Sequence, residues 1–163
     1  HTRKAGQGDV RANLCAVVRV WILGRLPMSV KSESEIRVRF LETDPAGILH
    51  FAHYGNYIDV GKNDFFRKLQ GRPRKPGDNG VSTVLVQTTF DYKIPARFDD
   101  VLIVETKLDF VKNTSFGFDF EIRKKDGGTV VCRAKAVYVC LSLETTKPTA
   151  VPESIRKIFE AVP

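Results

Sequence analysis

The chain has 163 residues, of which 42% are hydrophobic and 28% charged, with a formal net charge of +7. This composition is typical of a soluble globular domain with a real core, rather than of a disordered chain. The basic balance favours a polyanionic partner such as nucleic acid, an anionic membrane or a phosphate-bearing ligand like coenzyme A; an incidental excess that aids solubility explains it equally well.

The first 27 residues do not resemble the rest of the chain. Because Met28 opens a stretch that reads like a natural start, we expect residues 1–27 to be an N-terminal extension, either a leader or added residues. Residues 28–163 are then expected to form a single domain. An apolar run at residues 14–26 is interrupted by Arg19 and is too short to span a bilayer. A mitochondrial-type presequence is the alternative.

The first predicted strand runs from Ile36 to Leu41, where apolar and basic side chains alternate. Pro45 disfavours the α conformation at Asp44, so the strand must end before this residue. Pro45 and Gly47 then mark a turn.

A long helix is predicted after this turn. Its apolar residues fall at helical spacing: Phe51, Tyr54, Ile58, Phe65 and Leu69. The start of a helix has unpaired N–H groups and a partial positive charge, so a carboxylate beside it can attack a carbonyl whose oxyanion the N–H groups stabilise. From the residues alone, the simpler interpretation is that Asp44 caps the turn or the helix. Gly55 and Gly61 within the helix predict that another backbone comes close there.

Four further strands and a short helix are predicted beyond a loop at residues 71–80 that is rich in proline and glycine. The strands have a period of two, and the last is apolar on both faces, as expected of a central strand. The connections are too short for parallel crossovers, so one helix and these strands predict an α+β fold with a mainly antiparallel sheet. The strands are 84–92, 102–110, 116–122 and 129–143, and the helix is 153–159.

The segment around Asp44 resembles the signature of the 4-hydroxybenzoyl-CoA thioesterase family of hotdog-fold enzymes. The similarity covers roughly residues 36–143. It implies a hotdog fold, in which an antiparallel sheet wraps around one long central helix, and a thioester hydrolase that cleaves acyl-CoA without a cofactor or metal. The matching residues are Asp44, Pro45, Ala46, Gly47, Ile48, Tyr54, Asp59, Phe98 to Leu102, Glu105, Thr106, Ser115 and Phe116.

The resemblance implies a role for each residue of the motif. Asp44 is the expected catalytic carboxylate, acting either as a nucleophile on the thioester carbon or as a general base for water. Phe51 is expected to supply the backbone N–H that receives the carbonyl oxygen, and Gly47 to allow close approach in the turn.

The acyl group is expected to contact His50, Tyr54 and Asp59. In the 4-hydroxybenzoyl branch, the position of Asp59 receives the ring hydroxyl of the substrate, although an ordinary solvated aspartate explains this residue equally well. His50 and His53 depart from the family pattern; either is suited to line the acyl pocket. Their spacing fits two metal ligands, but no third ligand is evident, so no metal site is predicted.

Coenzyme A is expected to bind at one turn. Lys112, Asn113, Thr114 and Ser115 occupy the place where related enzymes hold its nucleotide end. Arg97, Arg133 and Lys135 are further candidates for its phosphates; each is explained equally well as an ordinary surface charge.

Two other functions remain open at this stage: a thioesterase for acyl-carrier-protein thioesters, and a non-catalytic hotdog module that binds acyl-CoA or nucleic acid. No RNA-binding motif, P-loop or serine nucleophile elbow is present in the sequence. The resemblance implies a homo-oligomer, either a dimer joined edge to edge or a dimer of dimers (a homotetramer), with no nucleic acid or membrane as partner. Cys15, Cys132 and Cys140 form no CxxC pair, which predicts free thiols in a reducing compartment and hence a cytoplasmic protein.

Overall fold

A computed structural model describes residues 31–72, 75 and 77–160, without the side chains of residues 158–160. The predicted extension at residues 1–27 and Cys15 lie outside this part. The described elements are β1 (Lys31–Arg37), α1 (His53–Gln70), β2 (Val81–Tyr92), β3 (Val101–Val111), β4 (Ser115–Lys124), β5 (Val130–Ser142) and α2 (Glu153–Glu160).

The five strands form one sheet in the order β1-β3-β4-β5-β2, and every neighbouring pair is antiparallel. Helix α1 packs on the inner face of this sheet and contacts β1, β3 and β4. The predicted α+β hotdog fold, a sheet wrapped around one long helix, is therefore confirmed. Strand β5 lies between β4 and β2, in agreement with the prediction that it is central.

Aromatic rings fill the space between α1 and the sheet. Phe65 and Phe66 from the helix are fully buried against β4, where Phe118 lies 5.1 Å from Phe65 between ring centroids. The alternation predicted for β4 is confirmed, because its apolar residues all point inward: Phe116, Phe118, Phe120 and Ile122.

The two glycines of α1 differ in their surroundings. A Cβ atom on Gly61 would lie 2.5 Å from Thr106 Oγ1 and 2.9 Å from Val104 Cγ1, so the helix approaches β3 closely at this point. A Cβ atom on Gly55 would meet no atom within 4 Å in the described ranges. The close approach at Gly61 is therefore to side chains of β3 rather than to another backbone, as had been predicted, and no close approach is found at Gly55 among the described residues.

The first strand lies earlier than predicted. The structure places β1 at Lys31–Arg37 and a 3₁₀ turn at Phe40–Glu42, whereas the alternating residues predicted a strand from 36 to 41. The inward-facing residues of β1 include Ser32 and Ser34, which are buried although they are polar. Because a hydrophobicity pattern does not register serines as core residues, the true start of the strand was missed.

The period of two that the sequence predicted for the strand at residues 84–92 is interrupted, so Val84 and Thr88 lie on opposite faces of β2. A bulge after Leu85 shifts the register with β5. Thr88 pairs with Ala136, which is buried, so Thr88 faces inward; Val84 pairs with Val139, on the opposite face of β5. Strand β2 has β5 as its one neighbour in the described sheet, and its other edge is unpaired.

Cys132 and Cys140 are buried thiols, and neither forms a disulfide in the described part of the chain, as predicted. Burial raises the pKa of the Cys132 thiol to about 11, so this thiol is protonated and unreactive at neutral pH. No helix in the described ranges is both long and apolar enough to cross a membrane.

Candidate active site

Asp44 begins a tight turn. Its backbone N–H donates to Ile48 O at 2.9 Å, and Gly47 N–H donates to Asp44 O at 2.9 Å. Gly47 has a φ of 71°, a left-handed conformation that glycine adopts without strain. The shape of the turn therefore favours glycine at position 47, whereas the close approach that the family resemblance implies for Gly47 stays a prediction.

The turn fixes the orientation of the Asp44 carboxylate. Oδ1 accepts hydrogen bonds from Ala46 N–H at 2.9 Å and from Ile48 N–H at 3.3 Å. Oδ2 has no hydrogen-bond partner among the described residues. Asp44 thus caps its own turn, as the simpler interpretation held, yet it leaves one carboxylate oxygen available for chemistry.

The start of α1 is not capped by a side chain. The N-cap residue is Ala52, and the first turn contains no acidic residue. The helix begins at His53, so Phe51 precedes it, and the Phe51 N–H donates no hydrogen bond to any residue that the structure describes. An unpaired N–H here, close to the positive end of the helix, is suited to bind an anion or an oxyanion.

A short hairpin joins the Asp44 turn to the start of α1. Thr43 and Leu49 form a β-bridge, and His50 N–H donates to Glu42 O at 2.9 Å. A second bridge between Ile48 and Arg97 fixes the hairpin to the loop before β3. The predicted catalytic residues Asp44, Gly47 and Phe51 therefore lie in one hydrogen-bonded unit.

A buried carboxylate that sequence reasoning missed supports this hairpin. Glu42 is 3% exposed, and its Oε1 accepts hydrogen bonds from the Arg39 guanidinium at 2.5 and 3.0 Å. Its Oε2 accepts from Arg39 N–H at 2.9 Å and from the Tyr57 hydroxyl at 2.7 Å. One signal in the sequence could have indicated this ion pair. Arg39 stands three residues before Glu42, and Glu42 stands two residues before Asp44.

The environment of Glu42 keeps it ionised. Burial raises its pKa, but the hydrogen bonds from Arg39 and Tyr57 outweigh burial and lower the pKa to about 2. Burial and the nearby carboxylate together raise the pKa of Tyr57, so its hydroxyl keeps the proton that it donates. The cluster of Arg39, Glu42 and Tyr57 is thus a stable hydrogen-bonded group at neutral pH.

The predicted acyl-binding residues lie on both sides of the helix start. His50 Nδ1 accepts a hydrogen bond from Ala52 N–H at 3.3 Å, which favours the tautomer with its proton on Nε2. The His50 ring lies 4.3 Å from the exposed Phe51 ring and 6.2 Å from His53. Tyr54 is buried in the core instead, so its contact with an acyl group stays a prediction.

Asp59 lies on the second turn of α1 and is exposed. It accepts hydrogen bonds from Lys62 Nζ at 2.5 Å and Asn63 Nδ2 at 3.0 Å. It lines a concavity between α1 and the start of β2, and none of residues 40–53 line that concavity. The structure therefore does not bring Asp59 into the same depression as Asp44 within one chain.

The predicted coenzyme A turn, residues 112–115, joins β3 to β4. Lys112 N–H donates to Ser115 O at 2.7 Å, and Arg156 of α2 donates to Lys112 O at 3.0 Å. This turn follows Val111, whereas the hairpin around Asp44 contacts the loop before Val101. The two predicted sites therefore lie at opposite ends of β3.

The other basic residues predicted to bind the phosphates of coenzyme A differ in whether their side chains already form ion pairs. Arg133 pairs with Glu121, and Lys135 pairs with Asp109 and Asp119 on the outer face of the sheet. Arg97 bridges to the Asp44 hairpin through its backbone and has an exposed side chain. Of the three, Arg97 lies closest in the fold to the candidate site.

No group of three or more histidine, cysteine, aspartate or glutamate side chains in the described ranges is arranged to hold a metal ion. The site instead offers a carboxylate fixed by its turn and an uncapped helix start with an unpaired N–H. Such a pair is suited to the attack on an acyl carbonyl, in which negative charge develops on the carbonyl oxygen.

Comparison with known proteins identifies the family. The family model described as the thioesterase-like superfamily matches residues 38–159. The chain belongs to this superfamily. It is a thioester hydrolase, and the matched range contains the hairpin, helix α1, strands β2 to β5 and all of α2 except its last residue. Membership in the narrower 4-hydroxybenzoyl-CoA branch stays a prediction.

Individual thioesterases support this placement. The acyl-CoA thioester hydrolase YbgC of Escherichia coli O6:H1 is 28% identical over 125 residues, covering 77% of this chain and 92% of that protein. The chloroplastic acyl-acyl carrier protein thioesterase ATL3 of Arabidopsis thaliana is 26% identical over 132 residues, covering 81% and 69%. The 1,4-dihydroxy-2-naphthoyl-CoA thioesterase Slr0204 from Synechocystis has a TM-score of 0.72 at 20% identity, covering 79% and 95%, and shares the fold.

Proposed function

We propose that this thioesterase hydrolyses an acyl-CoA thioester to the free acid and coenzyme A, with Asp44 as its catalytic carboxylate. The observation that carries the proposal is the unpaired Oδ2 of Asp44, in one hairpin with the unpaired N–H of Phe51. The likeness to YbgC, whose name gives acyl-CoA thioesters as its substrates, supports this choice of thioester.

In the proposed reaction, the carbonyl oxygen of the thioester accepts a hydrogen bond from Phe51 N–H. Either Asp44 removes a proton from water, whose oxygen then adds to the carbonyl carbon, or Asp44 itself adds and forms a mixed anhydride that water later cleaves. In both routes the carbon–sulfur bond breaks, and the thiolate leaves and takes up a proton. The negative charge that develops on the carbonyl oxygen is stabilised by the N–H and the helix start.

We further propose that each active site needs two chains. Strand β3 has 11 residues, so its ends lie roughly 35 Å apart at about 3.3 Å per residue. The turn at residues 112–115 and Asp44 lie at opposite ends of this strand, so one coenzyme A that contacts both must receive them from different chains. The unpaired edge of β2 carries exposed Val84 and Val86, which favours a homodimer joined at this edge, and such dimers can pair again.

For the acyl group, we propose a hydroxyaryl group, with 4-hydroxybenzoyl as the first candidate. The support is Asp59, a carboxylate on α1 that is exposed and held by Lys62 and Asn63. A carboxylate is suited to accept a hydrogen bond from a ring hydroxyl. The name of the Synechocystis neighbour also specifies a hydroxyaryl thioester, which agrees with this choice.

Acyl-carrier-protein thioesters are the second candidate substrates. The relative ATL3 is named for this activity, and the net charge of +7 suits an acidic carrier protein. The thiols of Cys132 and Cys140 form no disulfide within the described residues, which agrees with a reducing location such as the cytoplasm, where either substrate occurs.

A hydrolysis assay with matched acyl groups on both carriers tests these proposals. The panel contains 4-hydroxybenzoyl, benzoyl and straight-chain acyl groups. We expect 4-hydroxybenzoyl-CoA to have the highest kcat/KM, and Asp59→Ala to remove its advantage over benzoyl-CoA. If straight-chain substrates are preferred, the role of Asp59 is wrong; if carrier-protein thioesters are preferred, the second candidate is correct.

Asp44→Asn tests the catalytic assignment directly. The asparagine Oδ1 can still accept from Ala46 N–H, so the turn is kept while the base and nucleophile are removed. We expect kcat to fall by about 10²–10⁴-fold with an unchanged melting temperature. The exposed turn residue Asp126, replaced in the same way, is the matched control and should leave kcat unchanged. Normal turnover in Asp44→Asn would reject the assignment.

A further inference from the structure

We propose that Glu42 is a positioning residue, which holds the Asp44 turn in place against helix α1 through the hydroxyl of Tyr57. The inference deepens the proposed function and rests on it, because it concerns the geometry of the same site. Glu42 is only 3% exposed and both of its carboxylate oxygens accept hydrogen bonds from protein groups, so its effect must pass through other residues.

One residue bonds three parts of the site. The Glu42 carboxylate accepts a hydrogen bond from the N–H of Arg39, in the segment that precedes the hairpin. It accepts another from the hydroxyl of Tyr57, on the second turn of α1. The Glu42 carbonyl accepts from His50 N–H, in the chain that leaves the hairpin. Asp44 lies between Glu42 and His50 in sequence, so its position relative to the helix depends on these bonds.

The chemistry of the cluster favours positioning over simple stability. Burying a charged carboxylate is costly, and an ionic cluster is often no more stabilising than a well-packed apolar one. A fully bonded polar network does, however, specify one arrangement of the groups around it. The separation of Asp44 from the start of α1 is the quantity that such an arrangement fixes, and small displacements of reacting groups strongly affect rates.

The same helix offers a matched contact without this role. Ser34 of β1 donates a hydrogen bond to Asp64 Oδ2 at 2.7 Å, about two turns further along α1 than Tyr57. Like the hydrogen bond between Tyr57 and Glu42, this hydrogen bond joins α1 to a neighbouring segment of the same chain through a hydroxyl group. Ser34→Ala and Tyr57→Phe therefore each delete one hydroxyl from α1 contacts, at different distances from Asp44.

The first experiment compares steady-state kinetics of these two variants. We expect Tyr57→Phe to lower kcat by about 10–100-fold, with KM changed less than about threefold, because the substrate still binds while Asp44 is misplaced. Ser34→Ala should keep the kcat of the unaltered chain, even if both variants lose a similar amount of melting temperature. Equal kcat values in the two variants would overturn the positioning role.

The second experiment needs no activity. Amide hydrogen exchange of the full chain reports opening of the hairpin at the N–H groups of Gly47, Leu49 and His50. We expect Tyr57→Phe to accelerate exchange at these positions at least tenfold and Ser34→Ala to leave it unchanged. Unchanged exchange in Tyr57→Phe would overturn the inference.

The two readouts separate failure of this inference from failure of the proposed function. If Asp44→Asn keeps normal turnover, the proposed function fails, and hydrogen exchange alone then decides whether Glu42 and Tyr57 hold the hairpin. If Asp44→Asn is inactive while Tyr57→Phe has normal kcat and exchange, the proposed function stands and the positioning role is wrong.

Discussion

The two ends of helix α1 are built differently. At its start, the N-cap is Ala52 without a side-chain hydrogen bond, and Phe51 is 67% exposed. Its second half carries the fully buried Phe65 and Phe66, and the helix ends at Gly71 in a left-handed conformation with φ of 70°. Two basic residues in the last turn, Arg67 and Lys68, complement the negative end of the helix dipole.

This difference separates stability from function along one element. Capping and burial at the second half of α1 follow the rules that stabilise helices. Just before the first turn, the Phe51 N–H donates no hydrogen bond to a described residue, which costs stability but keeps this donor available to a substrate oxygen. Substitutions that remove packing in the second half should therefore cost more stability than substitutions in the first half.

The largest expected effect on stability is in the second half. Phe65→Ala removes a fully buried ring that packs against Phe118, so we expect the free energy of unfolding to fall by about 3–5 kcal/mol. Denaturant unfolding of the full chain measures this loss. Phe65→Leu, which keeps most of the volume, is the control and should lose about 1.5 kcal/mol or less. A loss below 1 kcal/mol for the alanine variant would contradict the packing described here.

The next largest effect on stability depends on pH and concerns Glu42, which accepts a hydrogen bond from Tyr57 in the first half of α1. Because the pKa of Glu42 is lowered from 4.5 to about 2, its ionised form stabilises the fold above pH 4.5, and this stability is lost as pH falls toward 2. At pH 7 we expect the free energy of unfolding of Glu42→Gln to be about 2–3 kcal/mol lower than that of the unaltered chain. The difference should shrink toward zero near pH 2.

Urea unfolding at several pH values measures the Glu42 effect. The exposed Glu35, replaced by glutamine, is a suitable control because its ion pair among the described residues is with exposed Lys125 at the surface. A difference for Glu42→Gln that stays constant from pH 7 to pH 2 would show that the loss comes from shape rather than from charge.

The sequence predicted the parts of the fold that depend on local rules. The alternation of Phe116, Phe118, Phe120 and Ile122 identified β4 because each of these residues is apolar and faces the core. The Pro45 and Gly47 signals identified the turn at Asp44, whose catalytic role stays a prediction. Each of these signals spans a few neighbouring residues, so no long-range contact was needed to read it.

The sequence did not predict features that depend on distant contacts. Ser34 is buried, and its hydroxyl donates a hydrogen bond to Asp64, which is 30 residues away in sequence. A periodic pattern of hydrophobic residues cannot predict such a contact. The burial of Glu42 also depends on a residue distant in sequence, Tyr57, whose hydroxyl donates a hydrogen bond to the Glu42 carboxylate. The separation of Asp44 from Lys112 likewise follows from strand order, which the residue pattern does not contain.

A smaller effect is expected where α1 meets β3. Alanine is normally favoured over glycine within a helix by about 1 kcal/mol. At Gly61 the added Cβ would lie 2.9 Å from Val104 Cγ1, so we expect Gly61→Ala to destabilise the chain by about 1–3 kcal/mol instead. Thermal and denaturant unfolding measure the sign. A gain in stability would mean that the helix moves away from β3 at little cost.

The smallest effect, and the closest test of the comparison, is Gly55→Ala. A Cβ at this position meets nothing within 4 Å in the described part of the chain, so the helix preference alone should act and stabilise the fold by about 0.5–1 kcal/mol. Gly55 and Gly61 lie in the same helix, so opposite signs for the two variants would isolate the contribution of the sheet. If Gly55→Ala instead destabilises the protein in a concentration-dependent way, another chain must pack on the first half of α1, because no contact within the chain accounts for the loss.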